Sequence, residues 1–121
     1  MRAMNAPRPE GGEPTRVVLI TAPDQESAEA LARALVDRRI CACCNLVGGV
    51  NSIFRWEGEV QSQEETLIIA KTTRGNEDKL ARALAELHPY DVPECIVIEP
   101  VYVAADYSDW LEAQCGVKDP D

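Results

Sequence analysis

The stretch Cys41-Ala42-Cys43-Cys44-Asn45-Leu46-Val47-Gly48-Gly49-Val50-Asn51-Ser52-Ile53-Phe54-Arg55-Trp56-Glu57-Gly58 decides the fold. It reads as one very long β-strand with a glycine irregularity, ending in a tight turn at Glu57-Gly58. A return strand of similar length follows over 59–73, closing on the apolar run Leu67-Ile68-Ile69-Ala70. A strand of ~14 residues at roughly 3.3 Å per residue spans ~45 Å. A chain of this size has a diameter near ~35 Å. The hairpin therefore overhangs its own domain. Exposed strand edges pair with other chains unless something covers them. The simplest cover is another copy of the same chain, so the expectation is an obligate oligomer.

Working outward, Val17-Val18-Leu19-Ile20 is continuously apolar, as a central strand buried on both faces should be. Ala28, Leu31, Ala32, Leu35 and Val36 then recur at helical spacing. Asp24 and Glu26 suit the positive N-terminal end of that helix, and Arg38-Arg39 its C-terminal end. After the hairpin, Asn76 is the expected N-cap of a second helix striped by Leu80, Leu84 and Leu87 and ended by Pro89. A fourth strand is expected over 94–103, with a bulge or free edge at Pro100, which has no ladder donor. A last helix starts near Asp106, with Tyr107, Trp110 and Leu111 on one face and Gly116 as C-cap. The order is βαββαβ plus a C-terminal helix, an α+β chain of the split βαβ type. Residues 1–15, with three prolines and no apolar periodicity, read as a disordered arm. Residues 16–116 form a single domain, and 117–121 a short tail.

The net charge is −9, from 21 acidic and 12 basic residues, with no basic cluster beyond Arg38-Arg39. Nucleic-acid binding needs a basic footprint, and none is present. No run of apolar residues is long enough for a membrane span, and no apolar segment marks a secretory signal. A cytoplasmic location is expected. Five cysteines, an odd number, favour reduced thiols over a disulfide framework. Cys41 and Cys44 form a C-x-x-C, but strand alternation puts Cys41 with Cys43 on one face and Cys44 on the other. That geometry argues against a redox pair or half a zinc site.

Taken in order, several segments resemble the CutA family of divalent-cation tolerance proteins. They are Thr21-Ala22-Pro23-Asp24, Ala42-Cys43 with Gly49 and Ser52, Trp56-Glu57-Gly58 and Lys71-Thr72-Thr73. His88-Pro89-Tyr90, Pro93-Glu94 and Tyr107-Ser108-Asp109-Trp110-Leu111 complete the set, over about 16–115. The resemblance implies a ferredoxin-like subunit assembled as a homotrimer through the long hairpins, with PII-like architecture. It also implies a role in tolerance of copper or another divalent metal, bound weakly, with no organic cofactor. Carried over residue by residue, it makes Cys43 and His88 the candidate metal ligands. Ile20 stands where some members have a further cysteine, Gly48 where a proline is common, and Arg55 where an aromatic is frequent.

Thiolate and imidazole are ligands copper favours. Free cysteine is also commonly a small buried hydrophobe, and His88 could instead cap the second helix. Lys71 lies on the apolar return strand, where a charge needs a partner. Glu65, Tyr107 and Trp110, with Trp56 near the hairpin tip, are its candidate companions in an intersubunit cleft. Such a cleft suits a small anion or metabolite, which makes a regulatory or scaffold trimer the alternative function. It equally suits an intersubunit ion pair packed by aromatics. No base is linked to a nucleophile, and no phosphate loop, H-E-x-x-H or paired carboxylate motif occurs, so no enzymatic activity is expected.

Overall fold

The structure is a computed structural model that describes residues 12–116. Its elements are β1 (Thr15–Ala22), α1 (Gln25–Asp37), β2 (Cys43–Trp56), β3 (Glu59–Thr73), α2 (Glu77–Leu87), β4 (Ile96–Ile98) and α3 (Ala105–Gln114), with a single 3-10 turn, Arg74–Asn76, before α2. The four strands form one antiparallel sheet in the order β2-β3-β1-β4, the βαββαβ arrangement expected from the sequence.

Alternation divides the sheet. Val18, Ile20, Ala22, Ile68 and Ala70 point toward α1 and α2 and bury against Ala28, Leu31, Leu35, Leu80, Ala83 and Leu84. Their neighbours Val17, Leu19, Leu67 and Ile69 are only half-buried, and Val47, Ile96 and Ile98 are exposed. One chain thus leaves an apolar sheet face without full cover.

The hairpin has the predicted length. Val47 pairs with Leu67 and Val50 with Glu65, so β2 carries one extra residue there. Gly49 takes it up at φ 70°, the left-handed conformation a glycine bulge uses. At the tip, Glu57 (φ 50°) and Gly58 (φ 82°) are both left-handed, as a two-residue hairpin turn requires. β1 pairs with β3 only from Thr66 to Thr73. Beyond that point, from Val50–Glu65 to Trp56–Glu59, the hairpin is a two-stranded ribbon. Ile53, Trp56 and Val60 stand exposed on it. Two-stranded ribbons are marginal alone in water.

Several expectations are corrected. β2 begins at Cys43, because the chain is still turning at Cys41, whose N–H bonds Leu35 O at 3.1 Å. β4 has three residues instead of ten; the segment has left the ladder before Pro100. Asn76 does not cap α2 with its side chain. Its amide donates to Arg39 O (3.2 Å) and Ile40 O (3.0 Å), tying the α2 entry to the α1 exit. The buried stripe of α3 is Ser108 and Leu111, continued by Cys115 just past its end, so Tyr107 and Trp110 face outward. Gly116 follows α3 at φ 65°, as foreseen, but its N–H bonds Arg39 O at 3.1 Å. The expected arm runs too far inward. Thr15 is in β1, Pro14 O accepts from Arg74 N–H (2.9 Å), and Glu13 accepts from Gly75 N–H (3.0 Å). The rest of that expectation, over 1–11, and the tail at 117–121 lie outside the described residues.

Candidate functional site

Two polar groups gather on the sheet, one at each end of the β1–β3 ladder. At the base of the hairpin, Cys43 pairs directly with Lys71 across β2 and β3, so both side chains share the sheet face turned away from α1. The Lys71 ammonium donates to Asn45 Oδ1, and the Cys43 thiol makes a long 4.0 Å contact to the same oxygen. Tyr107 stands close enough for the Cys43 sulfur to join burial in raising its phenol above the usual value. Its ring lies 5.6 Å from that of Trp110. Cys43 also packs against Ala42, Leu111 and Cys115. Its sulfur is half-buried with a weak partner, which leaves lone pairs for a ligand.

At the other end, His88 follows α2 and is 8% exposed. Its Nε2 lies 2.8 Å from Thr21 O, and its Nδ1 accepts from Tyr90 N–H at 3.0 Å. A carbonyl can only accept and an N–H only donate, so the ring is the neutral Nε2–H tautomer with both nitrogens engaged. His88 is therefore a cross-link between the α2 exit and β1. A cation bound to it must displace one of those bonds. Tyr90 Oη donates to Glu65 Oε2 at 2.7 Å and accepts from Gln63 Nε2 at 3.2 Å. Burial, then the Glu65 carboxylate, push the Tyr90 phenol up to about 12. Glu94 is raised too, by burial and by Glu65.

The candidate ligands are not brought together within one chain. Thr21 pairs with Leu67, and Lys71 with Cys43. Four residues of β3, about 13 Å of strand, separate the two levels. Among the described residues, no group of three or more His, Cys, Asp or Glu side chains is arranged to hold a metal ion. Of the two candidate ligands, only the Cys43 thiol lacks strong partners, and one thiol does not fit a complete copper site. The cleft residues also occupy three levels: Trp56 at the tip, Glu65 midway, and Lys71, Tyr107 and Trp110 at the base. From the Glu59 level to Lys71 is about 40 Å of strand. Only contact between different subunits can unite them.

Sequence reasoning overlooked Asn45 and Gln63, whose amides carry no motif. Tyr90 and Glu94 lay within quoted segments, but their closeness to Glu65 depends on where the loop after α2 returns. Cys41 was misplaced, whereas Cys44 lies opposite Cys43 as expected. Cys41 is fully buried in the core on the α1 side, and Cys44 packs against that same core. Alternation fails because Cys41 precedes the strand.

Residues 16–114 match the sequence profile of the CutA1 divalent ion tolerance protein family. The chain belongs to this family. It is 44% identical over 100 residues to the divalent-cation tolerance protein CutA of Thermus thermophilus, covering 83% of this chain and 97% of that one. With the Escherichia coli protein of the same name it shares 37% identity over 97 residues, 80% of this chain and 87% of the other. The crystal structure of CutA1 from Oryza sativa superimposes with a TM-score of 0.85 at 34% identity, covering 88% of this chain and 98% of that one. The CutA1 match spans the hairpin and both polar groups.

Proposed function

We propose that this CutA1-family chain works as a non-enzymatic homotrimer in divalent-cation tolerance. In this reading it binds copper or a similar cation weakly in the cytosol, where its cysteines stay reduced. The observation that carries the reading is the hairpin base. There a partly accessible Cys43 thiol stands beside Lys71, Asn45 and Tyr107, on a sheet face that one chain leaves half-covered. Thiolate suits soft copper. The described residues of one chain offer too few ligands for tight binding, so water or a neighbouring subunit completes the set. His88 ranks second, because its nitrogens are already bonded.

The trimer rests on the ribbon and on the free edges of β2 and β4. Three subunits joined edge to edge around an axis leave no edge open. The family resemblance supplies the number three and the PII-like comparison.

A second reading has its own observation. Lys71, Asn45, Tyr107 and Trp110 combine a cation, an amide and two aromatic rings at one level of the sheet. That chemistry suits a small anionic metabolite, and a regulatory trimer would use it.

Calorimetric titration of copper into metal-free protein separates the two. The cation reading expects stoichiometric binding weakened at least roughly tenfold, about 1.4 kcal/mol, by Cys43→Ser. Binding unchanged in Cys43→Ser contradicts it. A metabolite that raises the melting temperature in the absence of copper favours the second reading.

A further inference from the structure

Cys41 and Cys44 carry an inference independent of the cation site. The α1 exit places them together. Ile40 N–H and Cys41 N–H both bond Leu35 O, at 3.0 and 3.1 Å, and the strand starts only at Cys43. Cys41 therefore turns into the core beneath α1, with no exposed surface, instead of alternating with its neighbours. Cys44, the second strand residue, points to that same side. Three residues apart, the two thiols thus sit on the same side of the strand start, against one core cluster. They differ in access. Cys44 is half-buried and forms part of the wall of an open groove of about 760 Å³ between α1 and β2, with Ala32, Arg33, Val36 and Leu46. Cys41 meets solvent nowhere.

One accessible sulfur on the same side as one buried sulfur is the arrangement in which the first is attacked and the second resolves. We propose that Cys41 and Cys44 form a reversible dithiol–disulfide pair that is oxidised by a hydroperoxide entering the groove. The Cys44 thiolate attacks the terminal peroxide oxygen. An S–O bond forms, the O–O bond breaks, and the departing alkoxide or hydroxide takes a proton to leave as alcohol or water. Cys44 is then a sulfenic acid. The Cys41 sulfur attacks it, the S–S bond forms, and the S–O bond breaks. The leaving hydroxide takes the Cys41 proton and departs as water. The pair loses two electrons and the peroxide gains them. A thiol returns both sulfurs to the reduced state by exchange. Such a pair suits the cytosol, where disulfides are transient and report redox state.

Trypsin releases residues 40–55 as one peptide carrying Cys41, Cys43 and Cys44. The native, chelator-treated protein is exposed to stoichiometric hydrogen peroxide, blocked with N-ethylmaleimide, denatured and blocked again. The expected wild-type peptide carries one maleimide instead of three and has lost two hydrogens; prior reduction restores all three. Cys43→Ser should keep the internal disulfide, with no maleimide. Cys44→Ser and Cys41→Ala should each lose it, and the use of two variants guards against one misfolding. A wild-type peptide that stays triply blocked overturns the proposal. So does a disulfide that survives Cys44→Ser but disappears in Cys43→Ser.

Discussion

The backbone N–H of Tyr90 donates to Nδ1 of His88 at 3.0 Å, while Nε2 of the same ring serves Thr21 O at 2.8 Å. This makes the family histidine a fixed joint between α2 and β1. His88→Ala should lower unfolding free energy by about 1–2 kcal/mol, since it removes the partners of two part-buried backbone groups. The same change should weaken copper binding less than Cys43→Ser does. Loss of copper binding with unchanged stability would mean that His88 acts as a ligand instead.

Tyr90 should be a late-titrating tyrosine. Its folded-state value of about 12 lies above the ordinary 10. The retained proton thus adds stability that is fully present below pH 10 and is lost as pH rises through 12. Tyrosinate absorbance should show a component near pH 12 that is missing in Tyr90→Phe. The fall in melting temperature over the same interval should be smaller in that variant. Identical titrations would show that the contact with Glu65 does not persist in solution.

Arg39 offers a stabilising substitution. It sits at φ 61° just after the α1 cap, where Arg39 N–H bonds Val36 O and Ile40 N–H bonds Leu35 O, both at 3.0 Å. This is the Schellman arrangement, which favours glycine at the left-handed position. Its hydrophobic contact is present too, since Leu35 and Ile40 share the core. Arg39→Gly removes a strain of about 1 kcal/mol and loses only a long exposed side-chain bond to Gln114 O. Denaturant unfolding should show a gain of several tenths to about 1 kcal/mol. A loss would mean that the guanidinium matters more than the backbone.

Truncation should find its boundary before Glu13. A chain starting at Gly12 keeps the bonds from Gly75 N–H to Glu13 and from Arg74 N–H to Pro14 O. A chain starting at Thr15 loses both and should be less stable by about 1–2 kcal/mol. Equal stability of the two would show that these bonds contribute nothing.

The hairpin, both main helices and the order of elements along the chain were legible because each follows from a repeating local signal: alternation, helical stripes, and a tight turn at Glu57-Gly58. Three of the departures share one physical cause. Asn76, Cys41 and Gly116 all meet at the α1 exit, where Arg39 O and Ile40 O collect donors from distant segments. No local pattern encodes a carbonyl's remote partners. β4 was overextended because apolar content alone does not show where a ladder stops. The polar groups were half legible: Cys43, Lys71, Glu65 and His88 were singled out, but their division into two levels needed the β1–β3 register.

In the proposed trimer, the overhanging ribbon and the half-covered sheet face are the subunit interfaces. Sedimentation across nanomolar to micromolar subunit concentrations tests it most directly. A trimer is expected at every concentration, with no folded monomer. A folded monomer at micromolar concentration would contradict it.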